Sequence, residues 1–196
     1  MALIDLISSD RPNATARGYL ISGALWGVAG ATVGVVAAAT LVAPDAFTAP
    51  WLSFGRLRPL HVNLVAFGFV YSLLVAGAAH IVPRLCRLEA LWSERLGTLS
   101  LWLWNAVFVA AFLTLPFGMT QGREYAELVW GIDVLVALSV ASFTLNIIMT
   151  VLTRREPILY VSLWYICGGL VWASRRRCGG SSTRSGCGSM ATTSSA

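Results

Sequence analysis

Histidine is scarce in this chain: His61 and His80 are the only two. They lie in one apolar stretch, nineteen residues apart, or ~28 Å along a helix. One iron's two axial ligands are only about 4 Å apart, so one helix does not offer both histidines to one haem. A bis-histidine site needs its second ligand from another segment or another chain. His61 is the stronger candidate. It follows Gly55-Arg56-Leu57-Arg58-Pro59-Leu60, which predicts a place in the first turn of a helix opening at Pro59. Polar groups there tend to be functional if the helix spans a membrane; the plain alternative is an interfacial imidazole bonded to water or backbone. Arg58 is placed to pair with an anionic group at the same surface. His80, beside Pro83 and Arg84, reads as interfacial.

A second cluster is Gly122-Arg123-Glu124-Tyr125-Ala126-Glu127, with Asp133 about one turn later. Glu124 and Glu127 are neighbours if a helix has begun there. Two close carboxylates suit a hard cation or proton handling. The competing reading is two acids favoured by a helix dipole. Cys86, Cys167, Cys178 and Cys187 form no C-x-x-C pair and no Cys/His cluster, so no zinc site is expected. Cys86 and Cys167 read as small apolar residues in helices or at their ends. There is no phosphate loop, dinucleotide fingerprint, nucleophile elbow or H-E-x-x-H.

The elements that must hold these groups are membrane helices. The chain is 57% hydrophobic and 12% charged, with a mean hydropathy of +0.72, where soluble domains carry about 25% charged residues. A surface this apolar calls for lipid. Crossing the hydrocarbon takes ~20 helical residues, and backbone groups facing lipid must be satisfied within their own segment. The expected fold is an all-α bundle of four to five transmembrane helices, over residues 18–43, 59–82, 96–116, 128–152 and 158–174. Residues 1–17 form a polar lead. The first segment is too long for a signal-peptide core. In it Gly23, Gly27, Gly30 and Gly34 share one face, which favours close helix packing. Trp51, Trp92 and Trp130 fall at predicted membrane surfaces as anchors.

All fourteen basic residues are arginine. With a cytoplasmic N-terminus, seven lie on inner segments (Arg11, Arg17, Arg84, Arg87, Arg95, Arg154, Arg155) and three on outer loops (Arg56, Arg58, Arg123), as the positive-inside rule requires. A spanning fifth segment would put Arg175-Arg176-Arg177 outside, against that rule. Residues 175–196 are Arg, Gly, Ser, Thr and Cys with few apolar residues, a composition that builds no core. The expectation is a disordered tail, either a natural one or the product of a reading-frame change after the helices before it. The body alone has ten Arg against nine acids, so the basicity does not point to nucleic acid.

Three blocks carry a family resemblance. The stretch from Trp51-Leu52-Ser53-Phe54-Gly55-Arg56 to His61-Val62-Asn63 resembles the start of the second helix in subunit I of cbb3-type cytochrome c oxidases, the C-type haem–copper oxidases. Gly122 to Glu127, with Trp130 and Ile132-Asp133, looks like that family's loop into its fourth helix. Arg154-Arg155-Glu156-Pro157 with Tyr160-Val161 and Trp164 is similar to its next turn. The resemblance covers roughly residues 18–173 and implies the N-terminal part of a twelve-helix fold. It implies that His61 is an axial ligand of low-spin haem b and that Arg58 lies near the haem propionates. Glu124 would be tied to a calcium ion, with Glu127 as its neighbouring acid. The family's copper ligands, high-spin haem ligand and cross-linked tyrosine lie beyond its fifth helix, so no catalytic residue is assigned here. The parent activity implied is oxidation of cytochrome c, reduction of oxygen to water and proton translocation. It implies cytochrome c-bearing partner subunits and a bacterial inner membrane. The competing readings are a haem-binding or inert membrane fragment, a nitric oxide reductase-like subunit, and a transporter, for which neither a repeat nor a broken midplane helix is evident.

Overall fold

The computed structural model describes residues 12–121 and 127–178. Every long element in them is helical: α1 (Ala14–Val42), α2 (Phe54–Leu85), α3 (Glu94–Thr114), α4 (Trp130–Leu152) and α5 (Val161–Cys178). The first four are long and apolar enough to cross a membrane. The apolar part of α5, Val161–Trp172, reaches only ~18 Å at ~1.5 Å per residue, short of a ~30 Å core.

Helix ends differ from the sequence expectation for local reasons. α1 starts at Ala14, inside the expected polar lead, because its first turn is capped from another helix. Asn13 has a left-handed backbone (φ 62) and gives no side-chain cap. The Glu94 carboxylate instead accepts from Asn13 N (3.1 Å), Thr15 N (3.0 Å) and Thr15 Oγ1 (2.7 Å). Gly97 lies directly under the Thr15 side chain, where any Cβ would collide. Thus α3 supplies the orphan N–H groups of α1 with an acceptor. α3 itself begins at Glu94, since Ser93 Oγ accepts from Leu96 N at 3.2 Å, an N-cap. α2 begins at Phe54, five residues before Pro59, and runs on through Pro83. Its middle, Asn63–Tyr71, is wound as a π-helix, a rare form that often marks functional positions. α5 continues through residues 175–178; the rest of the expected tail lies outside the described residues.

Lipid gives packed helices no hydrophobic drive to associate, so close contact and polar pairing must hold them. The glycine face of α1 provides the first. A Cβ would meet Ser72 at 3.0 Å from Gly23, Phe69 at 2.8 Å from Gly27, and Val65 at 2.8 Å from Gly30. Polar pairing provides the second. Tyr19 Oη and Ser100 Oγ are 2.7 Å apart, and Ser100 and Ser139 each donate to the other's carbonyl (2.9 and 2.8 Å). Trp104 Nε1 donates to Ser72 Oγ (3.0 Å) and Trp26 Nε1 to Asn105 Oδ1 (2.8 Å). Tyr19, Trp104, Phe108 and Phe143 fill the centre, with Trp104 edge-on to Phe108 at 5.3 Å.

At one end of the bundle the connections 86–93 and 153–160 lie side by side. Asn146 reads both backbone groups of Ser93 (Oδ1 accepting at 3.1 Å, Nδ2 donating at 2.8 Å), and Trp92 N donates to Thr150 Oγ1 at 2.9 Å. Arg155 N donates to Cys86 O at 3.0 Å, and Arg87 pairs with Glu156 at 2.6 Å. Cys86 is fully buried, in line with its reading as a packing residue. Trp51, Trp92 and Trp130 all stay outward near helix ends.

Candidate functional site

The opposite end carries His61. Because α2 starts at Phe54, His61 is two turns into its helix, not in the first turn as the sequence suggested. Pro59 lies inside α2, past the first turn where proline is ordinarily tolerated, so it did not mark the boundary. His61 packs against the last glycine of the α1 face: a Cβ on Gly34 would lie 2.6 Å from its Cε1 and 2.7 Å from its Nδ1. Its Nδ1 is 2.8 Å from the Gly30 carbonyl oxygen. A carbonyl only accepts, so Nδ1 carries the hydrogen. In the neutral ring Nε2 therefore holds the lone pair, the form in which an imidazole ligates a metal while its other nitrogen is fixed by a backbone oxygen.

Two residues on, Asn63 is almost wholly buried. Its amide donates to Pro59 O (2.8 Å) and to Glu127 Oε2 (2.9 Å). Glu127 is thus tied to α2 rather than capping α4. The expected pairing of Glu127 with Glu124 falls on Glu124, which lies outside the described residues; α4 begins at Trp130, beyond Glu127. The acid in the first turn of α4 is Asp133, which accepts from Gln121 Nε2 at 3.2 Å. Gln121 Nε2 also donates to Leu128 O (2.6 Å), and Gln121 N to Glu127 O (3.0 Å). No group of three or more His, Cys, Asp or Glu side chains converges as a metal site among the described residues.

Arg58 is exposed at the same end. The neighbouring Arg56 braces the turn after α3. Its Nη1 donates to Pro116 O at 3.0 Å, and its guanidinium lies 3.4 Å from where a Gly118 Cβ would sit. Gly118 has φ +82, a backbone conformation that calls for glycine, while a Cβ there would make only ordinary contact with Arg56. His80 is exposed at the far end of α2, remote from His61.

Two sets of contacts therefore lie along this part of α2: His61 with Gly30 and Gly34, and, two residues on and on a different face, Asn63 with Glu127. Sequence reasoning treated the glycines as packing alone and gave Asn63 no role. The signal was present: consecutive helices pack antiparallel, so the C-terminal glycine of α1 had to face the N-terminal part of α2, where His61 stands.

Comparison with known proteins gives matches over most of the chain. Residues 14–174 match the family described as Cytochrome C and Quinol oxidase polypeptide I. A cytochrome c oxidase subunit 1 homolog from Agrobacterium tumefaciens is 38% identical over 146 residues, which is 74% of this chain and 27% of that protein. The cbb3-type cytochrome c oxidase subunit CcoN1 of Stutzerimonas stutzeri is 37% identical over 150 residues, 76% of this chain and 31% of that protein. Cytochrome c oxidase subunit 1 of Rhodobacter capsulatus is 35% identical over 158 residues, 79% of this chain and 30% of that protein. The chain thus spans only about three tenths of the length of these relatives.

Proposed function

This chain belongs to the cytochrome c and quinol oxidase polypeptide I family of helical membrane proteins, and on that premise we propose that it forms the part of a cbb3-type oxidase subunit I that grips the low-spin haem b. His61 would hold the haem iron through Nε2. The observation that carries this reading is the tautomer imposed by the Gly30 carbonyl, 2.8 Å from Nδ1. Haem, when bound, supplies one-electron transfer. The chain's own residues do the positioning. Gly34 gives the imidazole room against α1, and Gly30 fixes its protonation. Asn63, two residues after His61, bonds Glu127 and so ties the residue that leads into α4 to the ligand helix. Arg58, at the same end, faces the propionates. Glu127 belongs to the proposed calcium position with Glu124, and no step is assigned to that ion.

The oxidase activity of the family (cytochrome c oxidation, oxygen reduction, proton translocation) belongs in this reading to an assembly with cytochrome c-bearing subunits. The N-terminus is assigned to the cytoplasm. Supporting this, Arg84, Arg87, Arg95, Arg154 and Arg155 lie at one end of the bundle and Arg56 and Arg58 at the other. A second reading, a helical membrane protein in which these residues hold no haem, is favoured by one observation: the other histidine of the sequence, His80, stands at the far end of α2 and offers His61 no partner ligand.

A reduced-minus-oxidised optical spectrum of the detergent-purified chain decides between them. The first reading expects a b-type signal in the wild type that is lost in His61→Ala. No signal in a folded wild type supports the second. A signal of equal size in His61→Ala refutes the ligand assignment.

A further inference from the structure

The end of the bundle opposite His61 carries a groove with no part in the site above. It lies between the start of α1 and the end of α2, has a volume of about 630 Å³, and is lined by Ala16, Arg17, Leu20, Leu73, Ala76 and His80 among others. Its floor is apolar. Its polar side chains are basic or neutral: Arg17, His80 and Asn13. Arg84 stands one turn beyond His80 on the same face of α2 and is exposed. Of the described acids at this end, Glu94 is committed to the cap of α1 and Glu156 to Arg87, while Glu89 is exposed in the 86–93 connection and does not line the groove.

Arg17 has an unmet need. Its Nε is buried and has no hydrogen-bond acceptor among the described residues. Within the same residues, its guanidinium makes one long bond, from Nη2 to Pro12 O at 3.4 Å. A buried donor on a permanent cation calls for an anionic acceptor. The groove sits at a membrane surface, where the molecules that combine an anion with an apolar tail are the anionic phospholipids of the adjoining leaflet.

We propose that this groove is a binding site for one anionic phospholipid. Its phosphate lies on Arg17, with His80 as a second donor and Arg84 adding positive charge. One acyl chain lies along Leu20, Leu73 and Ala76. The described lining is mostly small and apolar, with Arg17 as its one permanent cation, the combination of apolar surface and few polar groups that such a ligand requires.

The test uses the full chain in detergent, exchanged into nanodiscs of phosphatidylcholine with an equal part of phosphatidylglycerol, and native mass spectrometry of the lipid that stays bound on release. The wild type is expected to retain phosphatidylglycerol over phosphatidylcholine. Arg17→Gln should reduce that preference by about fivefold, the effect of one cation near the surface. His80→Ala should reduce it less, and Arg17→Lys should keep most of it. Arg56→Gln, at the other end, should leave it unchanged. Equal retention of both lipids by the wild type overturns the proposal. So does a preference that survives in both Arg17→Gln and His80→Ala, or one that Arg56→Gln lowers as much as Arg17→Gln. Size-exclusion profiles check folding, and if Arg17→Gln is misfolded, His80→Ala and Arg17→Lys decide.

Discussion

Replacing Gly34 with alanine tests the seat of His61 most directly. The added methyl would lie 2.6 Å from Cε1 and 2.7 Å from Nδ1. Ordinary carbon contacts need about 3.5 Å, so the ring must withdraw from α1 by about 1 Å. The Nδ1···O distance to Gly30, now 2.8 Å, then exceeds 3.5 Å and the bond is gone. Overpacking costs ~1–3 kcal/mol and the lost bond ~0.5–1.5 kcal/mol. Against this stands a gain of up to ~1 kcal/mol from replacing a helical glycine. The net expectation is a loss of ~1–3 kcal/mol, measured by thermal unfolding in detergent. Gly77→Ala is the control, because nothing lies within 4 Å of its Cβ position; it should be neutral or stabilising. Combining Gly34→Ala with His61→Ala removes the collision, so the alanine should then cost nothing. Equal stability of Gly34→Ala and Gly77→Ala, or a coupling to His61 under ~0.5 kcal/mol, refutes the packing argument.

Other expectations follow from particular contacts. Glu94→Ala strips three acceptor contacts from the start of α1 and should cost ~1–3 kcal/mol; an unchanged unfolding curve would contradict the cross-helix cap. Arg87 is 74% exposed beside Glu156 but has a left-handed backbone, φ 54. Arg87→Gly relieves that strain but leaves Glu156, only 14% exposed, without its cation, so it should destabilise less than Arg87→Val, which loses the pair and keeps the strain. Burial pushes the Cys86 thiol above its ordinary value. Little thiolate exists at neutral pH, and maleimide labelling of a variant with Cys86 as sole cysteine should be slow at pH 7 and quicken as pH rises. Asn146→Leu, which frees Ser93, should speed that labelling severalfold; equal rates would mean that the loop is held by other contacts.

The apolar lengths and the arginine distribution made four membrane helices readable from sequence, because lipid leaves the backbone so few options. Helix ends were less readable. Pro59 looked like a start, and the Glu94 cap on α1 joins residues 79 positions apart, beyond the reach of any local signal. The π-wound stretch Asn63–Tyr71 has no compositional mark: it is an apolar run like its neighbours. At the site, His61 stood out because histidine is rare and polar in an apolar stretch. Its partner did not, since a backbone carbonyl has no residue type. Glu127 was noticed as a carboxylate, but its bond to Asn63 depends on a long-range approach between a loop and a helix.

The dependence of α1 on Glu94 also bears on how the chain is made. Synthesis delivers residues 14–42 to the membrane first, with amide groups at the leading turn that nothing in that segment can satisfy. The carboxylate that completes the turn is not translated until some fifty residues after α1 has ended. Until then the start of the first helix must borrow acceptors from water or lipid headgroups. Arrival of the third helix closes it, so docking of α3 acts as a checkpoint: a nascent chain stalled before Glu94 would carry a frayed, protease-sensitive first turn that the finished chain does not have.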